Sequence, residues 1–168
     1  MASADQNQSL LSERMATYKV GDRDQRPWGS YVVTGVGYNE AGEEYCEKEI
    51  TVHFGQILSL QSHEMRREIW IVKQGTLTAL LDGQSVKLSS GGIVQIPQKS
   101  IHCMANLGTE NCVVYERQEG IYREEDIQRY ADAYGRSGGS GVHLSSPAVT
   151  ASIAVYNVMV AALRKADR

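Results

Sequence analysis

The chain alternates short apolar runs with polar turns, a pattern that is typical of β-strands. The runs are rich in Val, Ile, Leu and Tyr, and they lie at residues 30–33, 46–53, 68–73, 77–81, 85–88, 93–96 and 112–116. Glycines separate several of them, and Asp82 with Gly83 forms a dipeptide that favours a two-residue hairpin turn. Many short strands at near-regular spacing predict an all-β sandwich or barrel.

The pattern divides the chain into four parts. Residues 1–25 form a polar lead with a short helix predicted at 10–18, and residues 26–136 form the β-rich domain. Residues 137–146 have the Gly/Ser composition of a flexible linker, and residues 147–168 predict a C-terminal helix. Residues 124–134 are acidic and amphipathic, so we also expect a helix at the end of the β-rich domain.

Residues 69–72 are apolar on both faces of their predicted strand. A strand with one face in water would have polar residues on that face, so we expect another part of the protein or a second subunit to cover the outer face of this strand. A second subunit and a terminal helix are the two candidates.

Four side chains with metal-binding chemistry occur at spacings that suit one cavity. Gln61 and His63 are two residues apart and therefore point to the same face of a strand, and Glu68 follows on the next strand-like run. His102 approaches from a later strand. Two imidazoles, a carboxylate and an amide oxygen suit a divalent cation such as Zn, Mn, Fe, Co or Ni. Gln61, His63, Glu68 and His102 are therefore the predicted metal ligands.

Composition narrows the function classes. The 168 residues carry 17 Lys and Arg against 20 Asp and Glu, a formal charge of -3, so nucleic acid is not an expected partner. The three cysteines include no Cys-x-x-Cys pair, which is typical of a reducing compartment. The first eight residues contain no apolar run, and the apolar C-terminal stretch is diluted by Ser, Thr and Asn. We expect a cytoplasmic protein without a membrane span.

The metal-binding frame lies within two longer motifs. The first contains Gly55, Gln61, His63, Glu68 and Gly75, and the second Gly91, Pro97, His102 and Asn106. Residues 26–31 and a closing segment at 116–136 accompany them. Together these segments resemble the mannose-6-phosphate isomerase type II family of cupins, which also forms the C-terminal domain of bifunctional isomerase/mannose-1-phosphate guanylyltransferases. The resemblance covers residues 26–136 and implies a cupin, a double-stranded β-helix or jelly-roll barrel, with short terminal helices.

The resemblance implies a metal-dependent isomerase that interconverts mannose 6-phosphate and fructose 6-phosphate. Arg66, which is carried over from the family motif, is the expected catalytic and phosphate-binding residue. Glu116 and a metal-bound hydroxide are the two candidates for the general base, and Lys99 is a second candidate phosphate ligand at the cavity mouth. Because cupin barrels commonly pair, a homodimer is also expected.

Departures from the family leave two alternatives open. Glu64 and Met65 stand where the family has further histidines, and Arg67 stands where a small residue is usual. These changes favour, as the first alternative, a non-catalytic cupin that binds a sugar phosphate and keeps a structural metal. A metal-dependent cupin oxygenase is the second alternative, but the closing segment argues against it.

Overall fold

The computed structural model describes residues 18–136 and 146–166. Eleven strands form the barrel in the described part: β1 Arg23–Arg26, β2 Gly29–Tyr38, β3 Glu44–Val52, β4 Leu60–His63, β5 Arg66–Gln74, β6 Thr76–Leu81, β7 Gln84–Ser89, β8 Ile93–Ile96, β9 His102–Ala105, β10 Cys112–Gly120 and β11 Ile127–Ala131. A short 3-10 turn spans Glu124–Asp126, and helix α1 spans Pro147–Ala166. The all-β prediction is confirmed. All of the predicted helix at 10–18 except Tyr18, and most of the predicted linker, lie outside the described residues.

Two antiparallel sheets face each other. One has the order β1-β2-β3-β10-β5-β8, and the other has the order β11-β4-β9-β6-β7. Apolar side chains form a core between the sheets: Trp28, Ile50, Val52, Trp70, Val72, Leu77, Ala79, Ile96, Met104, Cys112 and Val114. The alternating apolar positions of the strands supply these side chains, since every second residue points inward. Buried polar side chains lie beside this core and form the candidate site: His63, Arg66, Glu68, His102, Glu116 and Gln118.

The hairpin predicted at Asp82 and Gly83 joins β6 to β7. Both residues have positive φ, 48° and 84°, as a tight turn between twisted strands requires. Leu81 pairs with Gln84 directly across the turn. The Asp82-Gly83 turn therefore sets the register of β6 and β7, and the hairpin predicted from the sequence is confirmed.

The helix predicted at 124–134 is wrong. Only Glu124–Asp126 forms a 3-10 turn, and β11 continues as a strand that pairs with β4. The carboxylate of Asp126 accepts the backbone N–H groups of Glu64 and Met65 at 3.0 and 2.9 Å. This anchor ties the segment to the end of β4, where the sheet ladder offers it more hydrogen bonds than a short exposed helix would.

Helix α1 packs on the outside of the five-stranded sheet. The Ser146 hydroxyl accepts the Val149 N–H at the helix start, where Pro147 occupies the first turn. Its buried residues recur every three or four positions: Val149, Ser152, Tyr156, Met159 and Leu163. By length and composition alone, the helix also meets the criteria for a membrane span, a test that core helices of soluble proteins pass too.

The cover expected over residues 69–72 is not this helix. Trp70 and Val72 point into the core, whereas Ile69 and Ile71 lie half-buried on the outer face of the six-stranded sheet. Ile93, next to Ile71 on β8, is 59% exposed. Since α1 packs on the opposite sheet, the homodimer remains the prediction for this face.

Candidate metal centre and cavity

Three predicted ligands meet inside the barrel. His63 ends β4, Glu68 lies on β5, and His102 begins β9, so the two sheets contribute to one cluster. Their ligand atoms all lie within 4.8 Å of one another. His63 Nε2 is 3.2 Å from Glu68 Oε1, and His102 Nε2 is 3.8 Å from Glu68 Oε2. Ligands that each bind one ion at about 2.1 Å are separated by roughly 3 to 4 Å, so the spacing suits a single metal ion.

The backbone orients both imidazoles. His102 Nδ1 lies 2.8 Å from the carbonyl oxygen of Ser100, and His63 Nδ1 lies 3.3 Å from that of Asp126. An Nδ1–H that donates to a carbonyl leaves the Nε2 lone pair available to a metal. His102 Nε2 is buried and has no hydrogen-bond partner among the described residues. Burial lowers the pKa of His102 to about 4, which keeps this imidazole neutral at pH 7. The cluster therefore fits a divalent metal.

Glu68 is the anionic member of the cluster and is almost fully buried. Burial alone would raise the pKa of Glu68, but the hydrogen bond with His63 and the nearby positive charges hold this pKa well below its usual range. Trp70 Nε1–H donates to Glu68 Oε2 at 2.9 Å. The carboxylate is thus ionised and fixed in direction, as a metal ligand should be.

Gln61 and Arg66 surround His63. Gln61 Nε2 and Arg66 Nη2 each lie 3.2 Å from His63 Nε2, and the Ser59 hydroxyl donates to Gln61 Oε1 at 2.8 Å. A rotation of the Gln61 amide by 180° would turn its oxygen toward the cluster, so its role as fourth ligand stays a prediction. Arg66 is buried and also donates through Nε to Glu68 Oε1 at 3.4 Å.

A polar cavity lies beside this cluster, and Gln61 and Arg66, which contact His63, belong to its wall. Gln61, Arg66 and Glu116 line it, together with a tyrosine cluster and further cations: Tyr18, Tyr31, Tyr122, Arg26, Lys48, Arg123, Arg129 and Arg136. Sequence reasoning found Arg66 and Glu116 but missed the other cations. The signal for Arg129 was its two-residue spacing from Ile127, which places both side chains on one face of a strand.

Lys99 is placed differently from Arg66 and Glu116. Its ammonium lies 3.7 Å from the Glu64 carboxylate, and the two side chains are 70% and 60% exposed. Lys99 is not among the residues that line the cavity. A contact between Lys99 and a bound phosphate stays a prediction without support from this geometry.

Glu116 is buried in the cavity wall and accepts the Gln118 Nε2–H at 2.8 Å. Burial and the charge of Glu68 raise the pKa of Glu116 from 4.5 to about 8. At pH 7 this carboxyl therefore holds its proton, and it can donate a hydrogen bond to a ligand oxygen.

The raised pKa predicts how stability depends on pH. Because the folded pKa of Glu116 exceeds the unfolded value, metal-free protein should lose stability as pH rises from 4.5 to about 8. Glu116→Gln should remove this loss and melt a few degrees higher than wild type at pH 8, but not at pH 4.5. Thermal unfolding in chelator at both pH values measures it, with exposed Glu64→Gln as the control. An identical difference at both pH values would contradict the raised pKa.

Comparison with known proteins fits this architecture. Residues 13–132, which are most of the chain, match the sequence profile of the family described as "Mannose-6-phosphate isomerase C-terminal". The chain belongs to this family. Among its relatives, the mannose-1-phosphate guanylyltransferase of Escherichia coli is 39% identical over 112 residues. The alginate biosynthesis protein AlgA of Pseudomonas aeruginosa is 40% identical over 113 residues.

These relatives correct the predicted activity. The matched segments cover 66% and 67% of this chain but only 22% of each relative, so the chain spans about a fifth of their length. The relatives are enzymes, and the Escherichia coli protein is named for guanylyl transfer, not for isomerisation. The interconversion of mannose 6-phosphate and fructose 6-phosphate is therefore wrong as the function of this member of the family.

Solved structures confirm the cupin fold. KdgF from Halomonas sp. superimposes with a TM-score of 0.52 at 19% identity and covers 62% of this chain and 89% of that one. An RmlC-like cupin from Shewanella frigidimarina gives 0.53 at 15% identity and covers 66% of this chain and 95% of that one. At these identities the likeness concerns the fold alone.

Proposed function

We propose that this chain is a metal-binding cupin module that binds a phosphorylated sugar of the mannose class and does not isomerise it. The observation that carries the proposal is the composition of the cavity wall. Six cationic side chains line one cavity, and one of them, Arg66, also contacts His63 of the metal cluster: Arg26, Lys48, Arg66, Arg123, Arg129 and Arg136. A chain with a formal charge of -3 concentrates positive charge there, which favours an anionic ligand.

The cationic side chains favour the phosphate group of the ligand, and the metal cluster favours its sugar ring. The two imidazoles and one carboxylate of His63, His102 and Glu68 suit a borderline divalent transition metal. Such an ion, when bound, supplies a Lewis acid that holds the hydroxyl oxygens of a sugar.

Neutral polar groups in the cavity also suit sugar hydroxyls. A protonated Glu116 can donate, and Gln118 Oε1 is a buried acceptor without a hydrogen-bond partner in the described part of the chain. Trp28 and Tyr31 line the same cavity, and aromatic faces pack against the C–H edges of sugars. The name of the Escherichia coli relative, mannose-1-phosphate guanylyltransferase, supports a sugar of the mannose class.

Calorimetry on metal-loaded protein tests the proposal. We expect mannose 1-phosphate or mannose 6-phosphate to bind, and unphosphorylated mannose to bind at least about tenfold more weakly, since charge-assisted hydrogen bonds are the strongest contacts on offer. Removal of the metal with a chelator should weaken the phosphorylated sugars further. A wild-type protein that binds neither sugar phosphate, with Zn, Mn, Fe, Co or Ni, would refute the proposed function.

A further inference from the structure

The cations of the cavity differ in how their charges are balanced. Four arginines have a carboxylate partner within the chain. Arg26 pairs with Asp24 at 3.0 Å, Arg66 with Glu68 at 3.4 Å, Arg123 with Glu44 at 2.8 Å and Arg136 with Asp132 at 2.7 Å. Lys48 faces Glu116 across the β3–β10 ladder and lies 4.0 Å from the centre of the Tyr18 ring.

Arg129 has no such partner. Within residues 18–136 and 146–166, no carboxylate forms an ion pair with its guanidinium, and its Nε–H is buried without a hydrogen-bond acceptor. A buried donor that has lost water and found no acceptor is unfavourable, and the charge of this half-buried side chain attracts a counter-ion. An anion that enters the cavity would supply both.

The position of Arg129 aims it at the cavity. β11 pairs with β4, and Arg129 lies directly opposite Gln61. Residues opposite each other in an antiparallel pair point to the same face, so the Arg129 side chain lies beside Gln61 on the inner face of the sheet. Gln61 in turn contacts His63 at 3.2 Å. Arg129 therefore lies one strand away from the metal cluster, with Gln61 between them.

We propose that the Arg129 guanidinium forms an anion subsite that binds the phosphate of the sugar phosphate, while the sugar ring lies toward the His63, Glu68 and His102 cluster. The inference rests on the proposed function and adds the orientation of the ligand. A guanidinium presents its N–H groups in a planar fork that matches two phosphate oxygens, which a lysine ammonium does not. Arg129, and not the exposed Lys99, is thus the residue that selects a phosphorylated ligand.

Binding measurements on metal-loaded protein test the subsite. Arg129→Gln should weaken the binding of mannose 1-phosphate or mannose 6-phosphate by about 10- to 100-fold, the range for loss of one charged hydrogen-bonding partner. The affinity for unphosphorylated mannose should not change. Arg129→Lys should give an intermediate loss, since it keeps the charge but not the fork.

Two controls and one competitor sharpen the test. Arg164→Gln removes an exposed arginine on α1, and Lys99→Gln removes the exposed lysine predicted from sequence; both should bind like wild type. Inorganic phosphate should compete with the sugar phosphate in wild type but not in Arg129→Gln. If inorganic phosphate bound wild type as tightly as either sugar phosphate did, the assignment of the subsite to a sugar phosphate would be overturned.

A stability measurement guards against a folding defect. Without ligand, Arg129→Gln should melt no lower than wild type, because it removes an unpartnered buried donor. Arg136→Gln, which breaks the ion pair with Asp132, should melt lower. If Arg129→Gln did not fold, the comparison of Arg129→Lys with wild type would decide.

The two possible failures are distinguishable. Wild type that binds no sugar phosphate would defeat the proposed function. Wild type that binds one, with Arg129→Gln binding it equally well, would defeat the subsite alone.

Discussion

Replacing His102 with alanine is expected to abolish tight binding of a divalent metal and to leave the barrel folded. His102 supplies one of two nitrogen donors in the cluster, and its Nε2 has no other partner among the described residues. Loss of one of three ligands should lower metal affinity by at least about 100-fold, because loss of a supporting group alone typically costs 10- to 100-fold. Elemental analysis after dialysis measures the stoichiometry, and the circular dichroism spectrum reports the fold.

The matched control is His53→Ala. His53 is exposed and does not belong to the cluster, so this variant should keep the metal content of wild type. His63→Ala should behave like His102→Ala, since it removes the other nitrogen donor. A His102→Ala protein that keeps full stoichiometry would show that His102 does not bind the metal.

The metal cluster was predictable because its information is local. His63 and Gln61 share a face through the two-residue period of a strand, and that period survives any error in the ends of β4. His102 and Glu68 follow from the same reasoning on two other strands. What the sequence could not give is the carbonyl partner of each imidazole. The carbonyl of Asp126 reaches His63 only because the segment before β11 folds back on β4.

The segment at residues 124–134 explains why its helix prediction was wrong and why Arg129 was not predicted as a site residue. Residues 124–134 have helix-like amphipathicity, and local propensity cannot register that β4 has an unpaired edge that a strand can fill. Arg129 was overlooked for this reason: on a surface helix it would face solvent, whereas on β11 it faces the cavity. Lys99, predicted from the sequence as a phosphate ligand at the cavity mouth, lies 3.7 Å from Glu64 and is not among the residues that line the cavity.

Truncation of Trp70 is expected to give the largest loss of stability. Trp70 is 2% exposed, packs in the core between the sheets, and lies edge-on to the His102 ring at a centroid distance of 5.6 Å. Trp70→Ala should lower the free energy of unfolding by about 3 to 5 kcal/mol, the range for removal of a buried aromatic side chain. Urea unfolding followed by circular dichroism measures this.

A second variant separates packing from the site. Trp70→Phe keeps most of the core volume but removes the Nε1–H that donates to Glu68 Oε2. We expect a smaller loss of stability than in Trp70→Ala, together with weaker metal binding, because Glu68 loses the donor that fixes its direction.

Ile69→Ala is the control on the same strand. Its side chain lies half-buried on the outer face, so it should cost well under the loss of Trp70→Ala and leave metal binding unchanged. Equal losses in Ile69→Ala and Trp70→Ala would contradict the inward placement of Trp70. A Trp70→Phe protein with wild-type metal affinity would show that Glu68 is oriented without this hydrogen bond.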